Sequence, residues 1–314
     1  AVGDNGTILH YNGNSWSSMS SGITYELYGI WGSSSNDVFA VGRHGTILHY
    51  DGNSWSSMNS GTTAWLWGVW GSSGTDVFAV GYYDTILHYD GNSWSFMNTG
   101  TTVSLEGVWG SSSNDVFAVG YNWGSGTGTI LHYDGNSWSS MDSGSVTPLY
   151  GVWGNSSNDV FAVGRYGTIL HYDGNSWSPD VLHSSTTYDL KEVWGSSGNN
   201  VFAVGDYGTI LHYGGHSWNS ISSSITYYEI YGIWGNSSTD IFAVGDNGTI
   251  LHYNGNSWTS MNSGTTAWLN GVWGSSSNNV FAVGDYGTIL HYNGNSWSSM
   301  SSGITYELYG IWGS

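Results

Sequence analysis

The chain has 314 residues, of which 8% are charged; 3 Lys and Arg stand against 22 Asp and Glu, a formal charge of −19. So few cations exclude a nucleic-acid role, which needs a Lys/Arg footprint on phosphates, and exclude docking on anionic membranes. There is no Cys, hence no disulfide, thiolate metal site or Cys nucleophile, and no apolar run approaches the roughly 18 residues of a spanning helix.

The chain opens at Ala1-Val2-Gly3 with neither an initiator Met nor a signal-like segment, as a mature or excised chain would. The string AVGxxGTILHY then recurs with its Ala at Ala1, Ala40, Ala79, Ala118, Ala162, Ala203, Ala243 and Ala282. The spacing is 39 to 44 residues. The longest interval carries an insertion from Tyr121 to Gly128, and smaller ones fall near His183 and Tyr228. That period fits a four-stranded propeller blade better than any helical repeat.

One unit, Leu66 to Met97, reads as four strands. Strand A is Leu66–Gly71, strand B Asp76–Gly81, strand C Thr85–Asp90 and strand D Ser93–Met97. Branched and aromatic residues fill the strands, and Gly, Asn and Ser punctuate them. Strand B is apolar on both faces, as a sheet sandwiched between two others requires. The Gly residues after strands A and B are expected to serve turns with positive φ.

Complete A-to-D sets begin at Leu27, Leu66, Leu105, Leu149, Leu190, Ile230 and Leu269. Strand A at Leu308–Gly313 and the B–C–D remnant at Ala1–Met19 complete an eighth blade from both ends. The expected fold is therefore an all-β propeller of eight blades, one closed by both termini, as a single domain over residues 1–314. Residues 282–314 repeat residues 1–33 except that Tyr286 replaces Asn5, and the split blade lacks counterparts of Asp37, Val38 and Phe39. Seven blades, or a window of a longer array, are the alternatives.

The motif VFAVGxxGTILHYDGNSW resembles the repeat of BNR-like propellers of the photosystem II assembly-factor type, over nearly the whole chain. The resemblance implies a fold and leaves function open. At the turn where that family carries an Asp box, Asp51-Gly52-Asn53-Ser54-Trp55 sets the Asp one residue closer to the Trp. Asn12, Gly214, Asn254 and Asn293 replace the Asp in other copies.

Repetition argues for scaffold roles, because a single active site needs asymmetry. His10, His49, His88, His132, His171, His212, His252 and His291 recur on strand C and are read as structural hydrogen-bonding groups. The Trp of each strand A and of each strand D is read as packing between blades. Asp37, Asp76, Asp115 and Asp159 are read as turn caps rather than calcium ligands, since Asn200 and Asn279 replace them elsewhere. Two Arg, Arg43 and Arg165, are too few for a sialidase-type carboxylate clamp. The five Glu show no spacing that sets an acid against a base. No catalytic residue, metal site or cofactor is expected.

The A–B and C–D turns hardly vary between copies, whereas the B–C turns and D–A connections do, and both fall on one face of the disc. Candidate ligand-binding residues there are Tyr28, Trp65, Trp67, Tyr83, Trp123, Tyr150, Tyr166, Tyr207, Tyr231, Trp268, Tyr286 and Tyr309. Rings mixed with Asp, Asn and Glu suit glycans and protein interfaces. The expected function is a non-catalytic binding propeller, extracellular or at the cell surface, taking glycan or protein. A structural subunit of a self-assembling surface filament or sheath is the alternative, and a glycan-active enzyme is disfavoured.

Overall fold

The computed structural model describes residues 1–144, 147–179, 186–221 and 226–314. Eight four-stranded antiparallel sheets form a ring. Seven are continuous in sequence: Leu27–Met58, Leu66–Phe96, Val103–Met141, Leu149–Pro179, Leu190–Ser220, Ile230–Met261 and Leu269–Met300. They are blades 1 to 7. Blade 8 pairs Leu308–Gly310 with Val2–Gly3, followed by Ile8–Tyr11 and Trp16–Met19. This pairing rules out seven blades plus an overhang: Val2 faces Gly310 and Gly3 faces Leu308. The insertion expected near His183 lies outside the described residues.

The core lies between blades. Strand B is buried on both faces, and Phe39, Phe78, Phe117, Phe161, Phe202 and Phe242 lose all contact with solvent. Each Phe reaches the next blade. Phe39 meets Tyr89 and, edge-on, Trp94, with centroids 5.5 and 6.1 Å apart. Phe202 meets Tyr253 and Trp258 in the same way. The Trp94 indole N–H in turn donates to Sδ of Met58 in blade 1.

The strand-A tryptophans lock neighbouring blades. The Trp31 ring lies against Gly71, Trp70 against Gly110 and Trp109 against Gly154, and Trp312 against Gly32 continues the ring across the split blade. A Cβ on Gly154 would stand 2.4 Å from the Trp109 ring. This corrects the expectation for the glycines after strands A and B. Gly42 is extended at φ −172°, and a Cβ there would stand 2.0 Å from the Glu26 carbonyl oxygen. Close approach, not a left-handed turn, excludes side chains at these positions.

The structural reading of the strand-C histidines holds in seven blades. His49 Nε2 meets Asp37 Oδ1 at 2.6 Å, and equivalent pairs join His88 to Asp76, His132 to Asp115, His171 to Asp159 and His252 to Asp240. His212 and His291 meet Asn200 and Asn279 instead, each at 2.7 Å. Burial lowers the pKa of these last two. Asp37 also accepts from Ser33 and so caps the A–B turn.

Candidate functional site: the mouth of the central channel

Strand A carries a β-bulge in every blade. In blade 1 Leu27 faces Gly42 and Gly29 faces Val41, so Tyr28 is the extra residue. Trp67, Glu106, Tyr150, Lys191, Tyr231, Asn270 and Tyr309 occupy the same position. A bulge unpairs one residue and re-aims its side chain. Leu27, Leu66 and their counterparts stay fully buried beside it. The bulge residues therefore gather at the channel mouth, where Tyr28 stacks on Trp67 at 4.4 Å and meets Tyr309 at 5.7 Å.

The B–C turn is tied to the same place. Its first residue donates its backbone N–H to the D–A connection: Arg43 to Glu26 O, Tyr82 to Trp65 O, Arg165 to Pro148 O and Asp206 to Asp189 O. The variable turns and connections thus share one face. The two variable turn positions are not equivalent. The first approaches the bulge residues; the second is left-handed, with φ between 53° and 58° at Asn5, His44, Tyr83, Tyr166, Tyr207, Asn247 and Tyr286.

The candidate residues divide accordingly. Tyr28, Trp65, Trp67 and Tyr309 form one aromatic arc. Tyr82 extends it, contacting Trp65, Trp67, Tyr83 and Trp123. Tyr231 and Trp268 meet at 6.3 Å, and Tyr150 lies under the Lys191 ammonium. Tyr83, Tyr166, Tyr207 and Tyr286 stand outward at the left-handed position; Tyr83 is 81% exposed and Tyr286 75%. Tyr207 packs on Tyr188 and Tyr166 under Arg165, both away from the arc.

Sequence reasoning chose Tyr83 and passed over its neighbour Tyr82, which sits at the centre of the arc. The signal was available. First-turn residues carry Asp4, Arg43, Asp206, Asp246 and Asp285 elsewhere, and these engage the mouth. The Tyr309 hydroxyl lies 2.8 Å from carboxylate oxygens of both Asp4 and Glu307, which share its one proton, and Asn270 donates to Asp285 at 3.1 Å. Lys191 pairs with Asp206 at 3.1 Å, and Tyr231 Oη donates to Glu229 at 3.0 Å.

The first-turn position is Asp in blades 5 to 8, at Asp206, Asp246, Asp285 and Asp4, whereas the connected ring cluster spans Tyr309 of blade 8, Tyr28 of blade 1 and Trp65, Trp67 and Tyr82 of blade 2. Burial, with neighbouring carboxylates, raises the pKa of Asp4, Asp206 and Asp285, partly offset by their hydrogen-bond donors. Burial pushes Tyr28 up to about 12. Arg43 is held by Glu26 at 2.7 Å and lies over the Trp65 ring.

Below the mouth the channel encloses about 390 Å³, lined by strand-A glycines and by Tyr150, Lys191, Glu192, Tyr231, Asn270 and Tyr309. Glu192 stands where the other blades have Gly and accepts from the Ile233 N–H at 2.8 Å. Burial raises it to about 7, and raises Glu106 to about 7 as well. Among the described residues no three His, Asp or Glu side chains lie close enough to hold a metal ion.

The sequence matches no protein-family profile and no curated protein. Solved structures share the fold. YCF48 bound to D1 peptide is 16% identical, with a TM-score of 0.66 over 91% of this chain and 97% of that one. YCF48 from Cyanidioschyzon merolae gives 15% and 0.62 over 86% and 96%. Sqt1 from Chaetomium thermophilum gives 14% and 0.70 over 91% and 86%.

Proposed function

We propose that the chain is a non-catalytic propeller, acting outside the cell or at its surface, that binds a partner polypeptide across the channel mouth. One observation carries this reading. Blades that are near-copies elsewhere differ at the bulge and first-turn positions, and those differences set a ring cluster beside a run of first-turn carboxylates at the mouth. The partner segment that fits is extended, with Lys or Arg for Asp4, Asp206, Asp246 and Asp285 and an apolar or aromatic residue for Trp65, Trp67 and Tyr82. Aromatic anchors in a desolvated centre and charge complementarity around it are what protein interfaces use. A YCF48 structure holds a peptide on the same fold, which is consistent with this use.

Glycan is the weaker partner. A sugar stacks on an open ring face, and Tyr28 and Trp67 each cover one face of the other. An enzymatic reading is the less favoured one: Glu106 and Glu192 are raised by burial, and the repeated blades offer no spacing that sets an acid against a base. The placement outside the cell is part of this proposal and draws on the Ser, Thr and Asn coat.

Selection of peptides from a random display library tests the reading. Binders enriched in Lys/Arg and aromatic residues are expected, weakened at least tenfold by Trp67→Ala and by raising salt from 0.05 to 0.5 M, concentrations at which screening separates exposed charges. Binders indifferent to Trp67→Ala, or hits only on a glycan array, would overturn it. Sedimentation into long polymers would favour the filament alternative.

A further inference from the structure

Blades 1 and 6 meet their next blades through the same pieces, with one exchange. In blade 1 the connection carries Glu26 and the bulge Tyr28, and the next blade adds Trp65. Blade 6 has Glu229 and Tyr231, and its next blade adds Trp268. The geometry is kept: Tyr28 and Trp65 lie 6.4 Å apart, Tyr231 and Trp268 6.3 Å. The first-turn backbone N–H donates to the connection at 2.9 Å in both, from Arg43 to Glu26 and from Asp246 to Glu229. The exchange is in the side chain of that turn residue. Arg43 sets its guanidinium on Glu26 at 2.7 Å and over the Trp65 ring at 4.7 Å. Asp246 starts from the same point, is too short to reach that place, and brings a second carboxylate.

Blade 6 thus keeps the two groups that hold a guanidinium in blade 1 and supplies none itself. Trp268 is 51% exposed, and Asp246 Oδ1 is buried without a hydrogen-bond partner. Glu229 receives one hydrogen bond, from the Tyr231 hydroxyl, at Oε2. The three Lys and Arg of the chain are engaged elsewhere: Arg43 on Glu26, Arg165 over Tyr166 and Lys191 on Asp206. Blade 5 meets the same need from within, since its Asp189 and Asp206 flank Lys191 at 4.0 and 3.1 Å. Asn270 stands where blade 2 has Trp67 and donates to Asp285 and to the Leu308 carbonyl, so the ring that covers Tyr28 has no counterpart on Tyr231.

We propose that the cleft between blades 6 and 7 is an arginine socket: a guanidinium of the partner pairs with Glu229 and Asp246 and lies over Trp268, as Arg43 lies over Trp65. The inference rests on the reading of the mouth as a polypeptide-binding face and assigns one of its contacts. Arginine suits the socket better than lysine. Its planar fork pairs with carboxylates while its face stacks on an indole, and an ammonium does only the first. One interface between blades is closed by the chain's own arginine, and its twin is left for another's.

The probe is the peptide acetyl-Gly-Arg-Gly-amide, titrated into the full chain with its indoles labelled with nitrogen-15 and Trp268 assigned from Trp268→Phe. A saturable shift of the Trp268 signal is expected. Lysine in place of arginine should weaken binding, and neutral citrulline should weaken it about tenfold. Glu229→Gln and Asp246→Asn should each cost about tenfold as well. Asp134→Asn removes one charge from the opposite face, where Asn254 already serves the same turn, and should change nothing. Asp246→Arg should fill the socket as Arg43 does, raising Tm and abolishing binding. An unmoved Trp268 signal, equal binding of the lysine or citrulline peptide, or undiminished binding by Asp246→Arg overturns the proposal. The two readings fail separately. Displayed binders that need Trp67 but hold no arginine would sink the socket and leave the mouth reading standing. A socket that takes the arginine peptide while the library yields no binder would do the reverse.

Discussion

The blade interior and the channel mouth obey opposite rules within one repeat. Between blades, the same Phe, Trp, Gly and Leu recur with nearly unchanged geometry: the Phe-to-next-Trp centroid distance is 6.1 Å in blade 1 and 5.9 Å in blade 6. At the mouth, one backbone position carries Tyr, Trp, Glu, Lys or Asn in different blades. The difference teaches where sequence is constrained. An interior position is held by contacts on both faces, so a change is felt by two sheets. A bulge residue has solvent on one side, so substitution there alters the ligand surface while leaving the ring closed.

The comparison is broken most directly from the interior. Phe202→Ala should cost about 3–5 kcal/mol, the range for truncating a buried aromatic, read by urea unfolding. An effect below about 1 kcal/mol would mean that the blades do not depend on this wedge.

Glu192 tests the one place where a mouth-like substitution enters the bore. Its folded pKa of about 7 exceeds the ordinary 4.5, so the folded chain holds the proton more tightly than the unfolded chain. That contribution to stability is complete below pH 4.5 and lost as pH rises through about 7. Glu192→Gln should therefore unfold later than the parent at pH 8, by at most about 3 kcal/mol, with the gain vanishing towards pH 4.5. Paired melts across that pH range decide it; a gain that does not change with pH would contradict the burial argument.

A smaller effect is expected at Gly154→Ala, where the new Cβ meets the Trp109 ring. Overpacking of this kind costs about 1–3 kcal/mol, measurable by denaturant midpoint. The smallest is Tyr286→Asn, which places at one left-handed turn the residue already found at Asn5. A side chain such as Tyr tolerates that region poorly and Asn tolerates it well, so a gain of up to about 1 kcal/mol is expected in differential melting. A loss would show that the exposed Tyr ring packs in a way that outweighs its backbone strain.

Much of the ring was legible from period and pattern. The recurrence of AVGxxGTILHY gave the blade count, and two-sided apolar strands gave stacking. The structural role of the strand-C His and of the Trp ladders followed from repetition, whereas the partners of the His, the Asp or Asn that open strand B, were read only as turn caps. The glycines after strands A and B were misread, since a Gly required by a neighbour's ring looks the same in sequence as one required by positive φ. The preference for Tyr83 over Tyr82 has a similar cause. Alternation predicts which side of a strand a residue faces, but a turn that passes from right-handed to left-handed backbone sends adjacent side chains in unrelated directions. The bulge at Tyr28 escaped notice because an unpaired residue leaves no mark in composition.

Leu27–Ser33 and Leu308–Ser314 are the same seven residues, and one starts blade 1 while the other closes blade 8. No side chain distinguishes them, so either would offer strand B the same contacts. What assigns each to its sheet is tether length: Leu27 reaches its partner at Gly42 through a short hairpin, whereas Leu308 meets Gly3 only after the whole circle has been traced. The ring's closure is thus decided by connectivity rather than by recognition.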